Sequence, residues 1–157
     1  ISSPRGLALT EEHDIVYRDM PAPGAPSPTP QRAPSDATFS HEVVPDAVLL
    51  FRYSALTFNG YRIHYDRPYV TQVEGYPGLI VHGPLIATLL VDLLRREMPN
   101  AQLRRFAFTA MRPLFDIHTF TLCGRIDVDT QPGTGNVALW ARDHEGLLAM
   151  QASAELA

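Results

Sequence analysis

Apolar side chains surround most of the segment 84–98. Leu85, Ile86, Ala87, Leu89, Leu90, Val91, Leu93 and Leu94 leave only Thr88, Asp92 and the pair Arg95, Arg96 as a polar stripe. Pro84 suits a first helical turn and Pro99-Asn100 ends the run, so the pattern predicts a long helix over 84–98. A helix this apolar is wrapped by other structure. Four strands are predicted behind it, over 103–111, 119–128, 136–143 and 147–155. In the second, Thr119, Thr121 and Gly124 alternate with Phe120, Leu122 and Ile126. Segments 131–135 and 144–146 supply turns, each with a glycine. Upstream, 39–44 predicts a short strand. The segment 46–57 predicts a helix with Pro45 in its first turn and Arg52 its one charge after Asp46. Gly60, Pro68, Gly75, Pro77 and Gly78 punctuate 58–78, which reads as irregular. An antiparallel sheet wrapped around one apolar helix is the economical arrangement, and the fold class is α+β.

Two stretches lie outside this frame. Residues 6–18 (GLALTEEHDIVYR) read as a strand, with Leu7 and Leu9 alternating and Ile15, Val16 and Tyr17 favouring β. One strand cannot fold alone, so it pairs with the rest of the chain or belongs to another unit. Six of the 14 prolines fall between Pro21 and Pro34. Proline fixes φ and lacks an N–H, so 21–36 reads as a semi-rigid extended linker or, equally well, a disordered low-complexity loop, and the main domain begins near Ala37. With Ile1 first and no signal peptide in 1–20, the chain is expected to be processed, truncated or one part of a longer protein.

Composition narrows the function. The 157 residues carry 13 Lys+Arg and 17 Asp+Glu, a net charge of −4, with no basic run. No nucleic-acid partner is expected, because phosphate neutralisation needs clustered cations. No membrane association is expected either, since no apolar run reaches the ~18 residues of a span. The single Cys123 excludes an intrachain disulfide and suits a reducing cytoplasm. It reads as a small buried hydrophobe. His41, His118 and His144 lack ligand spacing, so no metal is expected.

Five of the six tyrosines lie between 53 and 76, around Asn59, Tyr61, Arg62, His64, Asp66 and Arg67. Loops position binding and catalytic groups. The plain alternative is a loop whose tyrosines pack and whose arginines make surface ion pairs. The second candidate is Gly78-Leu-Ile-Val-His-Gly83, which leads into the apolar helix. The first N–H groups of a helix lack internal partners, and glycine there lets a ligand reach the backbone. Such an N–H can hold a developing oxyanion. The bland readings are a tight turn at Gly83 and a packed histidine at His82.

The combination Ala55-Leu-Thr-Phe-Asn-Gly-Tyr-Arg-Ile-His64, then Ile80-Val-His-Gly83 and a long apolar helix, resembles the MaoC-like hydratases of the hot-dog fold. The fuller string through Asp66 is similar to the branch that hydrates mesaconyl-CoA or itaconyl-CoA thioesters. The resemblance spans residues 37–157 and implies reversible addition of water to an α,β-unsaturated acyl-CoA. In the family pattern an Asp stands five residues before the catalytic His and an Asn three before it. Here His64 matches the His, Asn59 stands at the Asp position and Tyr61 at the Asn position. Gly83 matches the glycine whose amide polarises the thioester carbonyl. The implied catalytic residues are Asn59, His64 and Gly83, and the implied substrate-binding residues are Tyr61, Arg62, Arg67 and His82. An amide cannot accept a proton as a carboxylate can. His64 alone is then expected to do acid–base work while Asn59 positions water. Either arginine could pair bidentately with the free carboxylate of a dicarboxylic acyl group.

The resemblance implies no metal or redox cofactor, coenzyme A entering with the substrate. It also implies a second hot-dog unit, from a homodimer or an N-terminal half, with residues 1–20 as the end of a preceding unit. Two other readings stay open: a hot-dog thioesterase using Asp92, and a non-catalytic acyl-CoA-binding or partner domain. The expected compartment is the cytoplasm, or the mitochondrion in a eukaryote.

Overall fold

The computed structural model describes residues 1–16, 29–126 and 135–157. A five-stranded antiparallel sheet runs in the order β3–β5–β6–β7–β4. Its strands are β3 Phe39–Val43, β4 Leu103–Ala110, β5 Phe120–Ile126, β6 Gly135–Arg142 and β7 Leu148–Leu156. Helices α1 Ala47–Leu56, α2 Arg67–Gln72 and α3 Gly83–Glu97 lie between β3 and β4, with a 3-10 turn at Arg62–His64. Leu85, Ile86, Leu90, Leu93 and Leu94 of α3 share one core cluster with Val43, Leu122, Leu139 and Ala154 of the sheet. This is the hot-dog arrangement, with the sheet wrapped around α3. Leu90 is fully buried, and its truncation to alanine would cost about 2–5 kcal/mol.

The meander β5–β6–β7 holds the middle of the sheet, and β3 and β4 close its two edges. Phe39 sits opposite Gly124, where a Cβ would strike the Phe39 ring at 2.1 Å, so glycine is required there. Cys123 is buried on β5 against Trp140 and Leu148, as the sequence suggested, and burial pushes its thiol pKa up. The turn between β6 and β7 needs Gly146 at φ 78 and is tied by Asp143, which accepts from the N–H groups of Glu145 and Leu147.

Three expectations need correction. The strand expected over 6–18 is, in the described residues, a two-stranded ribbon of β1 Ser2–Ser3 and β2 Gly6–Leu7, apart from the main sheet. Gly6 at φ 112 turns the chain back on itself, and residues 8–16 form no strand. Tyr17 and Arg18 lie outside the described residues, as do the linker's 21–28, positions 127 and 128 of the strand expected over 119–128, and most of the 131–135 turn. The helix expected over 46–57 begins one residue later. Asp46 is its cap and accepts from the Leu49 N–H at 2.7 Å, with Pro45 just outside. The region 58–78 holds the 3-10 turn and α2. Asp66 caps α2 by accepting from the Tyr69 N–H, and Pro68 lies in its first turn. Flanking glycines masked a capping signal in Asp66-Arg-Pro.

The end of the proline-rich stretch is docked. Leu148 donates its N–H to Gln31 and Ala33 donates to Gly146, while Ala33 packs on the Cys123–Trp140–Leu148 cluster.

Candidate active site

Phe58 begins the turn out of α1 with φ 54 and is 96% exposed. Bulky side chains rarely occupy that left-handed region. The Asn59 N–H then bonds the Ser54 carbonyl at 2.9 Å, and the Asn59 Oδ1 accepts from the Tyr61 N–H at 3.0 Å. Asn59 therefore shapes the loop that delivers the 3-10 turn, and His64 ends that turn.

His64 is 8% exposed. Its Nδ1 lies 2.7 Å from the Ile80 carbonyl oxygen. A carbonyl only accepts, so Nδ1 carries the proton and, in the neutral ring, Nε2 is left as the basic nitrogen. Burial disfavours the imidazolium and lowers the His64 pKa, against a smaller upward pull from that hydrogen bond. The Tyr61 ring meets His64 edge-on at 6.1 Å.

The strip 79–81 is built from both sides. Ile80 donates its N–H to Ile63, Val81 donates to Leu114, and Asp116 donates to Leu79. The Asp116 carboxylate accepts the Leu79 N–H at 2.8 Å and pairs with Arg67 of α2, its own side chain only 2% exposed. Gly78 permits this, because a Cβ there would lie 2.7 Å from Asp116 Oδ1.

His82 follows at the N-cap of α3 and is 1% exposed. Its ring stacks on His64 with centroids 3.7 Å apart and planes 16° from parallel. Its Nε2 is hydrogen-bonded to the buried Ser54 hydroxyl at 2.8 Å, and its Nδ1 has no partner. Burial, and then the neighbouring His64, push the His82 pKa down to about 4. Gly83 is the first residue of α3, so its N–H has no partner inside the helix. A Cβ at Gly83 would meet nothing within 4 Å, so packing does not require glycine there.

Thus His64 and His82 stack at the start of α3 beside Gly83, Tyr61 stands edge-on to His64, and Asn59 holds the Tyr61 N–H one step further out. The two arginines are committed elsewhere. Arg62 donates twice to Asp66 and lies 4.1 Å above the Tyr69 ring, and its guanidinium holds the Asp66 carboxyl below the usual range. Arg67 is held by Asp116. Asp92, nine residues along α3 from Gly83, is about 13–14 Å away by helix rise and pairs with Arg96. Ser54 and Asp116 were not singled out in the sequence. Ser54 carried one faint signal, a small polar residue on the largely apolar segment 47–56. Among the described residues no group of three His, Cys, Asp or Glu could hold a metal ion. A cavity of about 530 Å³ between Arg32, Phe108, Arg125 and Trp140 is lined by none of these site residues.

The sheet wrapped around α3 is a hot-dog fold, and its candidate site is the buried His64–His82 stack at the start of that helix. The family model for hydroxyacyl-thioester dehydratase type 2 matches residues 1–116, and the chain belongs to that family. It is 46% identical over 151 residues to the mesaconyl-C(4)-CoA hydratase of Chloroflexus aurantiacus, covering 96% of this chain and 51% of that protein. It is 30% identical over 119 residues to the mitochondrial hydroxyacyl-thioester dehydratase type 2 of Schizosaccharomyces pombe, covering 74% and 39%. The chain thus spans about half, or less, of these relatives. Among solved structures, the (R)-hydratase from A. caviae involved in PHA biosynthesis superposes with TM-score 0.65 at 19% identity, over 81% of this chain and 93% of that one. The MaoC-like dehydratase from Phytophthora capsici superposes with TM-score 0.63 at 19% identity, over 89% and 46%.

Proposed function

We propose that the protein is a hydro-lyase that reversibly adds water across the double bond of an α,β-unsaturated acyl-CoA, with mesaconyl- or itaconyl-type thioesters as its acyl class. The observation that carries this reading is the buried, neutral His64 with Nδ1–H given to Ile80, stacked beside the residue that precedes Gly83. In the hydration direction His64 Nε2 takes a proton from water as the oxygen bonds the β-carbon. The thioester oxygen gains enolate character and is met by the Gly83 N–H at the positive end of α3. His64 then returns the proton to the α-carbon, and the enolate electrons reform the carbonyl. Asn59 positions the water and Tyr61 borders the acyl group, while His82, only 1% exposed, backs the His64 ring. With Arg62 and Arg67 both paired, a role for either in binding a substrate carboxylate requires exchange of its carboxylate partner. Coenzyme A arrives as part of the substrate, and the scheme calls for no metal or redox cofactor.

A second hot-dog unit, an identical chain or an N-terminal half, completes the working protein in this reading. The half-length match to the mesaconyl-C(4)-CoA hydratase supports it, as does the exposure of β4 along an open sheet edge. Among the described residues no helix is long and apolar enough to cross a membrane. The proposed compartment is the cytoplasm, although the yeast relative named above is mitochondrial.

Incubation with crotonyl-CoA and mesaconyl-CoA tests the reading. Loss of enoyl absorbance is expected. Release of free thiol would instead indicate a thioesterase, and neither change would leave an acyl-CoA-binding or partner domain. A fully active species at 17.4 kDa in light scattering would overturn the second unit.

A further inference from the structure

His82 is buried at a cost that an apolar residue would avoid. Its Nδ1 is unpartnered and sealed from solvent, and such a nitrogen loses hydration without compensation. Ser54 likewise places a hydroxyl on the face of α1 that buries Leu50. The two side chains meet across 28 positions of sequence, and the 2.8 Å contact between them is the one polar tether on the His82 ring. The Tyr53 ring also meets that ring edge-on, at 4.9 Å between centroids. His64 is also tethered at one nitrogen, on Ile80. A ring held at a single nitrogen can pivot about that bond. A second ring 3.7 Å from its face removes the pivot.

We propose that Ser54 and His82 are positioning residues for His64: the Ser54 hydroxyl fixes the His82 ring, and the face of that ring holds His64 with Nδ1 on Ile80 and Nε2 free to exchange a proton with the substrate. This rests on the hydratase reading, because it needs His64 to be the acid–base group. Neither residue has to touch the reacting atoms. The stacked ring also keeps water off one face of His64, which favours its neutral form. The titratable groups facing the stack are Tyr53 from α1 and Tyr61 from the 3-10 turn. The nearby charges are spent in pairs, Arg62 with Asp66 and Arg67 with Asp116, and 83–86 at the start of α3 carry no charge.

Two variants of the full chain separate the tether from the ring. Ser54→Ala keeps the His82 ring and removes its tether. His82→Gln keeps a polar partner for Ser54 and removes the ring. Each is assayed with the enoyl-CoA that the wild type turns over, and His64 is titrated by NMR with its signals assigned from His64→Ala. Both variants are expected to lower kcat about 10-fold or more with KM within about 3-fold, as for loss of transition-state positioning. The His64 midpoint is expected to rise toward 6.5 in both. Wild-type kcat with an unmoved midpoint in Ser54→Ala would overturn the proposal. So would a fall in kcat/KM carried by KM alone, which marks ordinary packing. If the wild type hydrates no enoyl-CoA, the hydratase reading has failed separately. The titration still decides the pair, since unmoved His64 midpoints and ring shifts in both variants would refute it.

Discussion

His64 stacks on His82, and His118 stacks on His144, with ring centroids 3.7 Å apart in both pairs and planes 16° and 19° from parallel. The second pair joins two exposed loop residues, one ahead of β5 and one in the turn between β6 and β7. The first is sealed between α1, the 3-10 turn and the start of α3, and each of its rings has a hydrogen-bond partner. Equal stacking geometry therefore says little about chemistry. What distinguishes the buried pair is removal from water, which pushes both pKa values down, and a carbonyl partner that fixes which nitrogen of His64 is basic.

The most severe way to test the contrast is to delete one ring from each pair. His64→Ala is expected to lower the hydration rate by about 10²–10⁴-fold, the usual contribution of general acid–base catalysis. His118→Ala is expected to leave it within about two-fold. A His64→Ala rate above about a tenth of wild type would end the assignment.

Stability against pH separates the pairs without any substrate. Above pH 6.5 His82 is neutral in the folded and unfolded chains, and its contribution is fully present. As pH falls from 6.5 toward about 4, the unfolded chain takes up a proton that the folded chain resists, so stability is lost. The loss is on the order of 3 kcal/mol from His82, and His64 acts in the same direction. Denaturant midpoints measured across that window should fall steeply for wild type and for His118→Gln, and less steeply for His82→Gln. Equal slopes for wild type and His82→Gln would mean that the His82 ring does not resist protonation in the folded chain.

The two arginines sharpen the contrast between buried and exposed partners. Arg67→Met strands a nearly buried carboxylate that also holds the Leu79 N–H, and should destabilise the fold by about 1–3 kcal/mol in chemical denaturation. Asn59→Ala should lower kcat about 10-fold, more than it raises KM, while Asn59→Asp is tolerated. Equal activity of wild type and Asn59→Ala would leave Asn59 only its loop-shaping bond. The smallest effect is expected for Arg62→Met, whose ion pair is exposed and which should unfold at an unchanged midpoint. A changed preference between mesaconyl-CoA and crotonyl-CoA in either arginine variant would restore its specificity role.

Much of this contrast was legible in the chain. The apolar surround of 84–98 predicted α3 and its wrapping, and the four later strands fell within a residue or two of their places. His64 and Gly83 stood out through motif spacing. Ser54 and Asp116 did not, because their meaning comes from partners 28 and 37 positions away, which no local pattern encodes. The segment 6–18 misled for a related reason. Its residues favour β, yet propensity yields a strand only where a partner edge is offered.

The sheet order has a consequence for how the molecule is made. Its two outer strands, β3 and β4, precede the meander in the chain, and β4 has no partner until β7 is complete at position 156. Pairings such as 39 with 124 and 103 with 156 close long loops, which slows folding relative to local contacts. During synthesis α3 can form early, but its apolar surface stays uncovered until the last strand emerges. That interval is when a chain of this topology is most open to aggregation or chaperone capture.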